Sequence, residues 1–206
     1  MESPFRIRVV RAEDAAAVRD IYAPFCESSA VTFEETAPSV TEMADRIEST
    51  LETHPWLVCE RETNDGEPEV VGYASASQLR PQAAYEWVVE LSIYVADDAR
   101  RSGVGRALYG SLFAILERQG VRDAYAATTV PNPETVAFHE RLGFERLTDF
   151  PGVGYAQGDW RDVAWWRRSI REKEADPAPM RPFSDVRTDS DLEALLATGA
   201  GAIEGD

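Results

Sequence analysis

The sequence predicts a single α+β (α/β) domain, a central sheet covered by helices. Three observations carry this. Strand-like and helix-like segments interleave along the first 170 residues, and the second half reads β-α-β-α-β. The 206 residues, 44% of them apolar, supply one sizeable core at about 100–200 residues per domain.

The elements follow in order. Phe5, Ile7 and Val9 alternate with Arg6 and Arg8, and Val10 closes this half-buried strand. Glu13 and Asp14 suit a helix N-terminus, and Ala17, Val18, Ile21, Tyr22 and Phe25 follow at helical spacing. A second helix is expected over Thr41 to Leu51, capped by Thr41, with Met43, Ile47 and Leu51 on one face. Trp56 to Glu60 and Glu69 to Leu79 read as strands flanking the turn Asn64-Asp65-Gly66, and Trp87 to Val95 as another strand. A polar loop, Ala96 to Ser102, enters a long helix striped by Leu108, Leu112, Ile115 and Leu116 and closed by Gly120. Asp123 to Val130 returns as a strand, and Pro133 opens a short helix that ends at Gly143. Phe144 to Phe150 and Val163 to Ile170 close the fold around a loop, Gly152 to Gly158. From Glu172 the composition changes: Pro177, Pro179 and Pro182 interrupt the chain, and Asp189 to Asp206 is acidic and rich in small residues. Residues 172–206 are expected to form a mobile or loosely docked tail beyond a domain of residues 1–171, with Leu192, Leu195 and Leu196 able to make a short amphipathic turn.

Composition narrows the function. Thirty-seven acidic against 21 basic residues leave a net charge of −16. Such a surface repels phosphate backbones and anionic lipids, which argues against nucleic-acid and membrane-surface roles. One lysine, Lys173, stands among arginines; with the acidity, this points to a GC-rich genome and a high-salt cytoplasm. No apolar run approaches the roughly 18–20 residues that span a bilayer, and the charged, strand-like start has no signal-peptide apolar segment. Cys26 and Cys59 make no disulfide framework, and with only His54 and His139 a zinc site is not expected. A soluble, reduced, cytoplasmic protein without metal follows.

The segment Arg100-Arg101-Ser102-Gly103-Val104-Gly105-Arg106 carries the most chemistry. It lies between an expected strand and an expected helix. Glycines there let several backbone N–H groups converge on an anion at the helix N-terminus, and three arginines in so acidic a chain point to a phosphate-bearing ligand. The loop lacks the Lys-Ser/Thr of a P-loop and the third glycine of a dinucleotide fingerprint, so ATP and NAD are poorly supported.

Arg-x-x-Gly-x-Gly after Leu91-Ser92-Ile93-Tyr94-Val95 resembles the acetyl-CoA pyrophosphate loop of the GCN5-related N-acetyltransferase (GNAT) superfamily. Asn132-Pro133-Glu134-Thr135-Val136-Ala137-Phe138-His139-Glu140-Arg141-Leu142-Gly143-Phe144 resembles that superfamily's following helix. Arg80-Pro81, Val89-Glu90, Tyr109, His139 and Gly158-Asp159-Trp160-x-Asp162-Val163 resemble its phosphinothricin and methionine-sulfoximine acetyltransferase branch. The resemblance covers roughly residues 5–170 and leaves out the acidic tail. It implies a mixed, mostly antiparallel sheet with helices on both faces, acetyl-CoA as co-substrate and a homodimer with its contact near residues 155–166.

Residue roles follow from the resemblance. Glu90 is expected as general base, on a strand face with Val88 and Ser92. His139 stands where many members carry a tyrosine that protonates the CoA sulfur. Ile93, Tyr94 and Val95 would line the pantetheine arm through their main chain, Asn132 would hydrogen-bond it, and residues 100–106 would hold the diphosphate. Arg80, with Pro81 and Gln82, would pair with an acceptor carboxylate, and Tyr109 would donate to the acceptor. Phe33, Tyr85 and Trp87 are candidate pocket walls; Trp56, Trp160, Trp165 and Trp166 are assigned to packing. No cysteine falls in these segments, so transfer to a small amino-acid-like amine would be direct. A protein N-terminal or lysine acetyltransferase and a non-catalytic CoA-binding module are the alternatives.

Overall fold

A computed structural model of the chain describes residues 4–63 and 66–200. Asn64 and Asp65 of the expected hairpin turn, and the last residues of the tail, lie outside the described residues. The strands are β1 (Phe5–Val9), β2 (Trp56–Arg61), β3 (Glu69–Gln78), β4 (Val88–Val95), β5 (Asp123–Val130), β6 (Glu145–Ala156) and β7 (Asp159–Ser169). The helices are α1 (Ala15–Ser28), α2 (Val40–Thr53), α3 (Val104–Gln119), α4 (Pro133–Arg141), α5 (Phe183–Val186) and α6 (Leu192–Ala200). The strands form one sheet in the order β1-β2-β3-β4-β5-β7-β6. Every neighbour pair is antiparallel except β4 with β5.

Helices cover both faces, as strand alternation requires. On one face Tyr22 and Phe25 of α1 meet Tyr94 edge-on, with ring centroids 4.9 and 5.0 Å away. On the other, α3 lies so close that a Cβ on Gly72 would come within 3.1 Å of Val104. The expected stripe Leu108, Leu112, Ile115 and Leu116 is fully buried there. Met43, Ile47 and Leu51 of α2 join the same core.

Three expectations are corrected. Ser39, not Thr41, caps α2: its hydroxyl accepts from Glu42 N at 3.2 Å while Glu42 Oε2 accepts from Ser39 N at 2.8 Å. That reciprocal pair is the Ser-x-x-Glu capping box. The stretch Gly152–Gly158 is not a loop. β6 runs on to Ala156, and only Gln157 and Gly158 turn, with φ of 54° and 77°; two consecutive positive φ values match the two-residue hairpin turn whose twist suits its strands. Residues 172–200 do not project as a loose tail. Phe183 and Val186 are fully buried, and Gly199 rests on the Ala107 carbonyl and Ser111 of α3, with Ser111 Oγ donating to the Leu196 carbonyl at 2.6 Å.

Candidate active site

The sheet splits where the expected chemistry lies. β4 and β5 pair only through Val88–Asp123, Val89–Ala124 and Glu90–Tyr125. Beyond Glu90, β5 continues against β7 and β4 against β3. The gap-facing backbone of Leu91 to Val95 therefore has no strand partner among the described residues. Buried amides and carbonyls rarely stay unpaired, so this edge is prepared to take an extended ligand as an added strand. Ile93, Tyr94 and Val95 lie along it.

The loop leading into α3 faces the same end of β4. Ala107 N donates to the Gly103 carbonyl at 2.9 Å, so the Val104, Gly105 and Arg106 amides are the first-turn donors without intrahelical partners. Gly103, the N-cap, has φ 88° and no capping side chain. Arg101 also has positive φ, 62°, an uncommon conformation for a side-chain-bearing residue that persists where surroundings enforce it. Left-handed residues in such a turn aim successive N–H groups into one concavity, an anion nest. Arg101 and Arg106 are exposed and make no ion pair among the described residues. Arg100 differs: it pairs with Asp97 at 2.8 Å and lies over the Phe25 ring at 5.3 Å. Ser102 Oγ donates to the Ala99 carbonyl at 2.6 Å and braces the loop from within. Gly105 has a packing role, since a Cβ there would lie 3.2 Å from the Phe138 ring of α4. Asn132 caps α4, accepting from Thr135 N at 3.2 Å. These donors fit a diphosphate with an extended arm. Among the described residues no group of three or more His, Cys, Asp or Glu side chains is placed to hold a metal ion.

Glu90 occupies the last paired position before the split and is half-buried on the α1 face. Burial raises its pKa above the ordinary carboxylate value, and the Arg80 guanidinium opposes the rise. Arg80, Pro81 and Gln82 form an exposed loop after β3. On the α1 side, a cleft of about 240 Å³ is bounded by Cys26, Thr32, Phe33 and Glu34 and by Gln157 and Gly158 of the hairpin turn. Phe33 lies directly over Gly154, leaving no space for a side chain there. Thr32 Oγ1 and Tyr22 OH are 2.7 Å apart, tying the wall to the aromatic contact with Tyr94. The sequence marked Phe33 but not the hairpin turn opposite, because nothing local announces that pairing.

Two expected site residues lie elsewhere. Tyr109 is fully buried among Phe113, Phe138 and Phe144, its hydroxyl without a partner and its pKa raised by burial. No acceptor reaches it in this arrangement. His139 is 3% exposed and stacks on Trp166 with centroids 5.7 Å apart. Its Nδ1–H donates to the Thr135 carbonyl at 3.0 Å, Nε2 is unpartnered, and burial lowers its pKa to about 4. A neutral ring enclosed in aromatics is placed as core and not as a cleft acid. Trp87 Nε1 donates to the Ala178 carbonyl at 2.8 Å instead of walling the cleft. Trp160, assigned to packing, is 64% exposed.

Comparisons with known proteins identify the family. Residues 7–165 match the family model described as acetyltransferase (GNAT) domain. The chain is 36% identical over 183 residues to phosphinothricin N-acetyltransferase of Streptomyces viridochromogenes, covering 89% of this chain and 97% of the relative. It is 34% identical over 114 residues to an L-methionine sulfoximine/L-methionine sulfone acetyltransferase of Pseudomonas paraeruginosa, 55% of this chain and 66% of the relative. A crystal structure of a GNAT superfamily phosphinothricin acetyltransferase from Sinorhizobium meliloti in complex with acetyl-CoA superposes with TM-score 0.77 at 30% identity, covering 88% of this chain and 99% of that one.

Proposed function

The chain belongs to the GNAT acetyltransferase family and is an acetyl-CoA-dependent N-acetyltransferase, and from that premise we propose that Glu90 and Arg80 direct acetyl transfer to the amine of a small amino-acid-like acceptor of the phosphinothricin or methionine-sulfoximine type. The observation that carries this reading is Glu90, half-buried where β4 and β5 part, with burial raising its pKa and Arg80 opposing.

Acetyl-CoA supplies an activated thioester. The first-turn amides of α3, with Arg101 and Arg106, hold its diphosphate, and the unpaired edge at Ile93, Tyr94 and Val95 aligns its arm. Arg80 pairs with the acceptor carboxylate and so orients the amine toward Glu90. Amines of this kind are mostly protonated near neutrality. Glu90 takes that proton, directly or through water, and frees the lone pair to attack the thioester carbonyl; as the C–N bond forms the C–S bond breaks, and the departing CoA thiolate takes up the second proton that the nitrogen sheds, directly or through water. A carboxylate shifted upward is the better base near pH 7.

A second copy of the chain covers the β6 edge in this reading. β6 is an outer strand with Leu147, Phe150, Val153 and Tyr155 exposed beside Trp160. Exposed apolar edges invite pairing, and five of the nine exposed large apolar residues among those described lie on this hairpin. The reading places the enzyme in the cytoplasm, where acetyl-CoA is available and thiols such as Cys26 and Cys59 stay reduced. Among the described residues no helix is long and apolar enough to cross a membrane.

The deciding experiment is Glu90→Gln assayed by thiol release with amino acids, sulfoximines and short peptides, at low and high salt. Turnover falls about a hundredfold or more while acetyl-CoA still binds. Unchanged turnover across a pH series defeats the role of Glu90, and a preference for peptides defeats the acceptor class.

A further inference from the structure

The chain beyond β7 returns beneath the acceptor loop. Arg122 Nη1 donates to the Glu172 carbonyl at 3.0 Å, and Lys173 Nζ lies 2.6 Å from the fully buried Asp123 at the start of β5. Five residues on, the Ala178 carbonyl accepts from Trp87 Nε1 at 2.8 Å, and the Met180 amide donates to Glu86 Oε1 at 2.8 Å. The segment is then pinned. Arg181 N donates to the Gln119 carbonyl at 2.9 Å, Gln119 Nε2 returns a bond to the Arg181 carbonyl at 2.8 Å, and Phe183 and Val186 fill the core.

Glu86 and Trp87 sit between the two charged residues of the acceptor site. Glu86 N closes the 3-10 turn Ala83–Tyr85 on the Ala83 carbonyl at 3.0 Å, and Tyr85 N bonds the Gln82 carbonyl at 2.9 Å, so the turn follows directly from Arg80-Pro81. Side chains 81 to 85 are all exposed. The loop therefore has little burial of its own to hold its place. Its attachments among the described residues are the Arg122 amide on the Trp87 carbonyl at 2.8 Å and the two bonds to residues 178 and 180.

We propose that residues 176–182 form a positioning strap for the acceptor loop, with Glu86 and Trp87 as the positioning residues that set Arg80 relative to Glu90. The proposal rests on the reading of Arg80 as the acceptor's carboxylate partner. A charge-assisted bond from the Met180 amide restrains Glu86, and the bond from the indole to the Ala178 carbonyl restrains Trp87, the last residue before β4. Buried anchors at Phe183 and Val186 hold the other end. The strap touches neither the glycine loop nor the free edge of β4, so it acts on the acceptor and not on the coenzyme.

The test uses the full chain. Glu86→Ala removes the acceptor of the Met180 bond, Glu86→Gln keeps an oxygen for it, and Trp87→Phe keeps the ring but loses the N–H. Acceptor KM rises about five- to tenfold in Glu86→Ala and Trp87→Phe and returns most of the way in Glu86→Gln, with acetyl-CoA KM unchanged. Hydrogen exchange of amides 82–87 quickens about tenfold in the same two variants, while that of α3 does not. Unchanged exchange, an unchanged acceptor KM, or a parallel rise in both KM values overturns the strap. Should the wild type release no thiol with any amine, the acceptor reading falls, and the exchange result alone still decides whether the strap holds the loop.

Discussion

Replacing His139 by phenylalanine separates a core histidine from a catalytic acid. The ring is 3% exposed and stacked on Trp166, and burial lowers its pKa from 6.5 to about 4. The fold therefore prefers the neutral form, and the unfolded chain takes up its proton at a higher pH than the folded chain does. The stability this provides is complete above pH 6.5, drains as pH falls, and is gone below about 4. At about 1.4 kcal/mol per tenfold change in proton affinity, the loss across that window is roughly 3 kcal/mol. Phenylalanine keeps the aromatic stack, removes the unpartnered Nε2 and does not titrate. Urea unfolding at pH 7, 6, 5 and 4.5 compares the two proteins, and the carboxylates common to both cancel in the difference. At pH 7 the variant lies within about 1 kcal/mol of wild type; by pH 4.5 the difference has moved in its favour by about 2 kcal/mol or more. Turnover at pH 7 stays within about threefold, because a ring enclosed by Phe138, Phe144 and Trp166 has no route to a leaving thiolate. Parallel stability curves refute the burial argument. A loss of about a hundredfold in turnover with intact folding restores the acid.

Arg80→Ala raises KM for carboxylate-bearing acceptors about tenfold and moves the acidic limb of the pH–rate profile upward, because the cation opposing the rise in the Glu90 pKa is gone; an equal loss on carboxyl-free amines argues otherwise. Gly103→Ala forces a side chain into φ 88° at a cost of about 1–2 kcal/mol, and calorimetry shows acetyl-CoA bound roughly tenfold more weakly; undiminished affinity refutes the cradle. Tyr155→Ser with Trp160→Ser removes the two most exposed aromatics of the hairpin, and light scattering is expected to report a dimer for the wild type and a monomer for the variant; an unchanged mass places the contact elsewhere.

The parts of the fold that could be read from the sequence are those whose cause is local. Alternation along Val88, Glu90 and Ser92 put Glu90 on one face before any partner strand was known, and the leucine stripe of α3 marked its buried side. Glycines 103 and 105 at the start of a helix, with three arginines around them, read as an anion site from local chemistry, and Gly103 has the positive φ that such a turn uses. What escaped depends on distant partners. Tyr109 and His139 read as polar handles, yet each helix turns them toward Phe144 and Trp166, which lie far along the chain. Prolines and acidic residues make 172–206 look unattached, although Phe183, Val186 and Leu196 are buried and seat its described part. Ser39 differs in kind: its Glu42 partner is local, but Thr41, two positions on, is an equally ordinary cap residue, and only the hydrogen bonds distinguish the two.

Why the site forms at this place in the sheet follows from hydrogen-bond accounting. A central strand satisfies its backbone on both sides, and β4 does so only for Val89 and Glu90. Past that point its neighbour is drawn away by full-length pairing with β7. Phe138 of α4 meanwhile fits against Gly105 of α3 on the far face, so neither helix closes the opening by sliding inward. The result is an edge inside a sheet, where backbone donors need a partner and water is a poor one. In the proposed reading an extended thioester arm answers that need along β4, and a diphosphate the matching need of the α3 amides. The residue at the fork is fixed by strand register instead of by loop conformation. Glu90 holds that position, so in the proposed mechanism one carboxylate on one strand serves as base while Arg80, on an exposed loop, is held in register with it through Glu86 and Trp87.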